Sequence, residues 1–241
     1  MKFLALDTAS ARCSVALMSG EALISRAVDT ARDHAMLLLP MIEAVLAEAG
    51  FALRALDGIA YGRGPGSFTG VRVAASVTQG LALGADLPVH GVSDLRALAV
   101  QARQVAAASS SGNSSAGASS SRNLLLAAMD ARMGEIYWGA FDAVAELPGE
   151  ALLGEAVGPP ERLPESLQGR VLAGAGRGLA AYAALAATLG IAPAAVFADA
   201  EPHAVDIARL AAHDLRGGCR WQDAATAQPV YLRDQVAHVS R

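Results

Sequence analysis

The sequence predicts an α/β fold arranged in two lobes. Three features predict it. Short Val/Ile/Leu-rich segments alternate with longer apolar stretches over the first hundred residues, a Ser/Ala/Gly-rich run breaks the chain at 106–121, and the pattern then restarts. The restart is also an echo: LLLAAMDAR at 124–132 answers KFLALDTAS at 2–10, each an apolar strand with an aspartate near its end. A single larger α/β sheet is the competing arrangement.

Taken in order, Lys2 to Leu6, Cys13 to Ser19 and Glu21 to Val28 read as three strands, separated by the turn-forming DTASAR and SG. A helix is expected from His34 to Ala49, a strand at Gly58 to Tyr61, a helix at Val71 to Leu83, a short strand at Val89 and a helix from Ser93, an order of βββαβαβα. After the Ser-rich run come strands at Asn123 to Met129, Glu135 to Phe141 and Val171 to Ala173, then a helix from Leu179 to Leu189. The expected units are therefore an amino-terminal lobe, 1–105, a flexible low-complexity insertion, 106–121, and a carboxy-terminal lobe, 122–241, whose final segment is a candidate to pack back on the first lobe.

Composition narrows the function. A chain of 241 residues with 53% hydrophobic content can build a substantial core. It contains no apolar run long enough to span a bilayer, and Met1 leads directly into a strand, so a soluble, cytoplasmic protein without membrane contact is expected. Cys13 and Cys219 read as ordinary thiols of a reducing compartment, and five scattered histidines give no zinc signature. A net charge of −4 without a basic stretch argues against unaided RNA binding. The sole lysine, Lys2, removes Schiff-base chemistry and the phosphate-loop lysine.

The segment GRGPGSFTG at 62–70 joins a strand to a helix, where glycines and unpaired N–H groups suit an anion. The same glycines also suit a plain connection with Ser67 or Thr69 as N-cap. Asp7, Thr8 and Ser10 can hold a turn or orient a metal-bound water, and Asp130 sits similarly beside Arg132 and Glu135. GAGRG at 174–178 is a second glycine turn. His34 reads as a capping or packing residue, and His203 and His213 lie on an expected surface helix. The helix near 34–49 is apolar around more than one face, and the next carries Ala74, Ala75, Gly80 and Ala82, small enough for close helix contact. Core and protein interface are both open readings of this pair, and Pro40 should bend the first helix or start its regular part.

Six segments in order carry a family resemblance: KFLALDTAS, HAMLLLPMIEAVL at 34–46, GPGSFTGVR at 64–72, VSDLRALA at 92–99, DARMGEIY at 130–137 and PVYLRD at 229–234. Together they resemble the TsaB (YeaZ) family, which is similar to a shortened TsaD transferase and shares the two-lobed fold of actin, sugar kinases and Hsp70. The resemblance implies a non-catalytic partner of TsaD in formation of the threonylcarbamoyl group on N6 of the adenosine next to the anticodon. It also implies a TsaE-type ATPase in the assembly, a homodimer in isolation, and tRNA contact only through the complex. Where TsaD-type proteins carry two metal-binding histidines four positions apart, this chain has Asp94 and Leu98, so no catalytic residue and no metal or cofactor of its own is expected, ATP and metal belonging to the partner subunits. The implied partner interface comprises Leu37, Leu38, Met41, Ile42, Val45, Val73, Val77 and Leu81. Asp7, Thr8, Ser10, Gly64, Gly66, Ser67, Gly174 and Gly176 are candidates for a vestigial nucleotide site. Two other classes compete: an ATP-dependent phosphotransferase or metallopeptidase using that cleft, and a stand-alone homodimeric binding protein.

Overall fold

The computed structural model describes residues 1–30, 32–110 and 122–233. Its elements are β1 (Lys2–Asp7), β2 (Arg12–Ser19), β3 (Ala22–Asp29), α1 (His34–Ala49), β4 (Gly58–Gly62), α2 (Phe68–Ala85), β5 (Val89–Val92) and α3 (Asp94–Ser110). There follow β6 (Leu124–Arg132), β7 (Glu135–Asp142), β8 (Leu153–Gly158), β9 (Val171–Ala175), α4 (Arg177–Ala181), α5 (Ala184–Thr188), β10 (Val196–Phe197) and α6 (Ala204–Arg216).

Two five-stranded sheets repeat one topology, β3-β2-β1-β4-β5 and β8-β7-β6-β9-β10. In each, three antiparallel strands are followed by two parallel ones. The echo between KFLALDTAS and LLLAAMDAR is thus structural, because β1 and β6 occupy the same central place. Both faces of β1 are covered: Leu4 and Leu6 join the core under α1 and α2, whereas Phe3 and Ala5 join the core under α6. Burial on both sides explains why this strand reads as continuous apolar residues and not as alternation.

The lobes exchange helices. α3 leaves the first sheet and packs on β6, β7 and β9, while α6 returns to lie across β1, β2 and β4. At the crossing, Arg96 of α3 donates from both Nη atoms to Asp214 of α6, each at 2.7 Å, and His90 Nε2 lies 3.2 Å from the same carboxylate. Beyond α6 the chain stays on the first lobe. Trp221 packs edge-on to Phe3 at 5.8 Å and fills the space beside Gly58, where a side chain would collide with its ring. Gln222 bridges to Val89, Val230 N–H donates to the Arg63 carbonyl at 2.7 Å, and Arg233 Nη2 reaches the Ala131 carbonyl of the second lobe at 3.2 Å.

Several sequence expectations are corrected here. The low-complexity stretch does not begin at 106, because α3 continues to Ser110 and Ala106 is buried; residues 111–121 lie outside the described residues. The helix expected over 179–189 is two short helices, α4 and α5, separated at Tyr182. The helix holding His213 is not a surface helix: Ile207, Ala208, Leu210 and Ala211 are fully buried, with His203 accepting the Val205 N–H as N-cap. β8 and β10 were not anticipated, since LGEAVG and VF carry too few residues of either period. Among the described residues no helix is long and apolar enough to cross a membrane.

Candidate functional site: the interlobe cleft and the two-helix face

The turn after β1 and the glycine segment after β4 form one packed unit. Asp7 Oδ1 accepts the Ala9 N–H at 3.0 Å, Thr8 Oγ1 donates to the Gly70 carbonyl at 2.7 Å, and the Ser67 N–H donates to the Ala9 carbonyl at 2.7 Å. Ser67 also caps α2 by accepting from the Gly70 N–H. Side chains at Gly66 and Gly70 would run into the carbonyls of Ala9 and Thr8, and one at Gly64 would lie 2.8 Å from the Val230 carbonyl. These glycines therefore admit the chain's own backbone at close range. In the second lobe Gly176 admits the Ala128 carbonyl in the same way, whereas the space a side chain would need at Gly174 is taken by the Leu179 side chain.

Behind this unit Asp7 and Asp94 meet, both fully buried and both against Gly62. Burial first, and then the Asp7 charge, hold the Asp94 carboxyl well above the usual aspartate value. Burial raises Asp7 as well, against the hydrogen bonds that Asp94 and Ala9 N–H give it. Asp94 Oδ2 accepts the Gly64 N–H at 2.6 Å, and because Asp7 Oδ2 and Asp94 Oδ1 have no hydrogen-bond partner among the described residues, one proton held between the two carboxyls would satisfy the pair. The neighbouring Cys13 thiol is pushed up to about 11 by burial and the Asp7 charge, which leaves it unreactive.

The cleft between the lobes is filled in a similar manner. Glu201, only 6% exposed, accepts a hydrogen bond from Ser10 of the first lobe and lies 3.5 Å from Arg177 Nη1 at the start of α4. Its carbonyl accepts from Gln101 Nε2 of α3 at 2.8 Å. Of the residues singled out for a vestigial nucleotide site, Asp7, Thr8, Gly66 and Ser67 are joined in the first-lobe unit and Ser10 reaches Glu201, whereas Gly174 and Gly176 contact residues of β6, α3 and the α4 region instead. Glu201 was missed in the sequence, where EPH shows no pattern. At the place compared with the metal-binding histidines, Asp94 is committed to Asp7 and Gly64, and Leu98 is a fully buried core residue without a donor atom. These residues do not fit a metal. Among the described residues no group of three or more His, Cys, Asp or Glu is placed to hold one.

α1 and α2 lie side by side on the outer face of the first sheet. Leu38, Met41, Ile42 and Val45 face inward and are 0 to 8% exposed, which corrects their assignment to a partner interface. Their i, i+3, i+4, i+7 spacing is the amphipathic stripe of α1, and the sheet has claimed it. Leu37, Val73, Val77 and Leu81 are half-buried at the rim. The outward apolar residues are others: Met36 (77% exposed), Leu39, Phe68 and Leu83. Between the helices runs a groove of about 350 Å³ lined by Ala35, Phe68, Thr69, Arg72, Val73, Ser76 and Val77. The signal for this second apolar face was the surplus of Met and Leu at positions off the core stripe.

Duplicated sheets, exchanged helices and an interlobe cleft define the two-lobed class that includes actin, sugar kinases and Hsp70. A family model described as TsaD, tRNA N6-adenosine threonylcarbamoyltransferase, matches residues 28–240. The chain is 38% identical to the Escherichia coli tRNA threonylcarbamoyladenosine biosynthesis protein TsaB over 98% of its own length and 96% of that protein's. It is 39% identical to the Haemophilus influenzae TsaB over 76% of this chain and 74% of the relative. The solved structure of YeaZ from Pseudomonas aeruginosa superimposes with a TM-score of 0.78 at 38% identity, covering 96% of this chain and all of that one (100%). The chain belongs to the TsaB (YeaZ) family of tRNA threonylcarbamoyladenosine biosynthesis proteins.

Proposed function

We propose that this chain is a non-catalytic subunit that docks onto a TsaD-type transferase through the outward face of α1 and α2. In that assembly it supports formation of the threonylcarbamoyl group on N6 of the adenosine next to the anticodon. The observation that carries this reading is the coexistence of an exposed apolar two-helix face with a cleft in which Asp94 takes the Gly64 N–H and Glu201 pairs with Arg177. Burying Met36, Leu39, Phe68 and Leu83 contributes about 1.5 to 3 kcal/mol each before the costs of association. ATP and metal reside on the transferase and on a TsaE-type ATPase, and tRNA meets this chain only within the complex. In isolation the same face pairs two copies of the chain, and the setting is cytoplasmic.

A pull-down with the TsaD-type and TsaE-type proteins tests the reading directly. The wild-type chain should retain the transferase, and Met36→Asp combined with Leu39→Asp should release it while leaving the circular-dichroism spectrum and melting temperature unchanged. Retention by this folded double variant would remove the proposed surface.

A further inference from the structure

Arg72 stands out in the groove because, among the described residues, its charge has no counterpart. Its guanidinium lies 3.3 Å from the ring centre of Phe68 and 5.0 Å from that of Tyr231, and the two rings are 6.4 Å apart. Both aromatics are largely exposed, at 58% and 48%. Among the described residues the guanidinium makes one hydrogen bond, a long one of 3.4 Å from Nη1 to the Phe68 carbonyl. Among the described residues no carboxylate lies within ion-pair distance of it. Arg12, Arg26, Arg63, Arg96 and Arg233 each hold an aspartate or glutamate, and Arg54, Arg103 and Arg170, which hold none, donate to carbonyl or amide oxygens of distant segments instead.

An arginine stacked on one ring, with a second beside it, has a planar face covered and its side-chain entropy already reduced, while the N–H edge stays free to donate in a fork. A carboxylate is the group that fork matches best, with two parallel charge-assisted bonds. The remaining walls decide what carries the carboxylate. Ala35, Val73 and Val77 are apolar, and Arg72 is the one charged residue of the groove. Nucleic acid is held by several cations tracking successive phosphates, which this lining does not supply. A second copy paired through this face would meet Arg72 with the same groove, whose lining holds another arginine and no carboxylate, so self-association leaves this charge unanswered.

We infer that Arg72, held by Phe68 and Tyr231, is the specificity contact of this face and takes a carboxylate side chain from an apolar helix of the transferase subunit. The inference rests on the docking face proposed above. It assigns the carboxy-terminal segment a role too, since Tyr231 is placed by the Val230–Arg63 hydrogen bond beside α2.

The test measures the affinity of the intact chain for the TsaD-type transferase at low and high salt, for wild type, Arg72→Met, Arg72→Lys and Val77→Asp. Loss of a desolvated charge pair weakens binding by about 30-fold or more, so Arg72→Met should fall that far, with Arg72→Lys between it and wild type. The salt dependence of wild type should shrink in Arg72→Met. Melting temperatures of both Arg72 variants should stay close to wild type, because among the described residues the guanidinium holds no ion pair. If Val77→Asp abolishes binding while Arg72→Met binds within about twofold of wild type, the face stands and the assignment of Arg72 is wrong. If Arg72→Met impairs self-association of the chain and spares the transferase, the carboxylate comes from a second copy and the inference is overturned. Absence of binding by wild type would sink the docking face itself, and the inference with it.

Discussion

At Asp94 a single buried proton links the sequence to the pH behaviour of the whole chain. Its folded-state value is raised, so the folded chain holds more protons than the unfolded one above the ordinary aspartate range. The stability that Asp94 contributes is therefore complete below that range and is lost as pH rises through the folded value. Asp94→Asn keeps an acceptor for the Gly64 N–H and supplies a permanent donor to Asp7. Thermal melts from pH 5 to pH 9 should show wild type losing stability relative to Asp94→Asn toward the alkaline end; parallel profiles would contradict the shared proton. Asp214 acts in the opposite sense. Burial would raise it, yet His90 and Arg96 hold it well below the usual carboxylate range, so its contribution is present above that range and disappears on strong acidification. The glycines of the GPGSFTG segment give a second test at this scale. Adding a methyl group at Gly66 or Gly70 drives it into the Ala9 or Thr8 carbonyl, and each alanine variant should lose about 1 to 3 kcal/mol or more in denaturant unfolding. Values within about 0.5 kcal/mol of wild type would return these positions to the role of a ligand cradle.

The two apolar helices separate what periodicity reveals from what it hides. The limits of α1, His34–Ala49, follow directly from the apolar run and from Gly50, whose φ of 70° ends the helix in the left-handed region. Which of its faces meets the sheet follows from spacing alone, and that spacing selects Leu38, Met41, Ile42 and Val45 for the core. An interface made of the leftover residues, Met36, Leu39 and the rim of α2, has no period of its own and becomes visible only after the core stripe is subtracted. Leu38→Ala should therefore cost about 2 to 5 kcal/mol of stability. Met36→Asp should change stability by no more than about 0.5 kcal/mol and act on partner binding instead. Denaturant titration of both variants separates the two faces, and equal destabilisation would show that Met36 belongs to the core. The glycine segments were equally visible as motifs, but their occupants were not. The carbonyls of Thr8, Ala9 and Ala128 and the carboxylate of Glu201 come from distant parts of the chain, and contacts of that range leave no local pattern.

Over the whole molecule, the exchange of α3 and α6 makes the two sheets depend on each other. The sequence restart after residue 121 marks a repeated topology, whereas the physical lobes are sewn together by α3, α6 and the segment from Trp221 to Arg233. Removing Asp214 leaves Arg96 facing His90 in a half-buried site without its carboxylate, and Asp214→Ala should destabilise the chain by about 3 to 5 kcal/mol in a single cooperative transition. Two separate transitions would mean that the lobes fold independently.

The same architecture underlies the proposed partner role: Ser10, Glu201 and Arg177 join across the lobes, and the exposed apolar surface lies on the outside of the first lobe. A reconstituted tRNA modification assay containing the TsaD-type transferase, the TsaE-type ATPase and this chain tests that claim most directly. The account predicts no threonylcarbamoyladenosine from this chain alone, full activity with all three, and loss of activity when Met36→Asp, Leu39→Asp replaces wild type. Product formed by the isolated chain, or undiminished activity with the folded double variant, would contradict it.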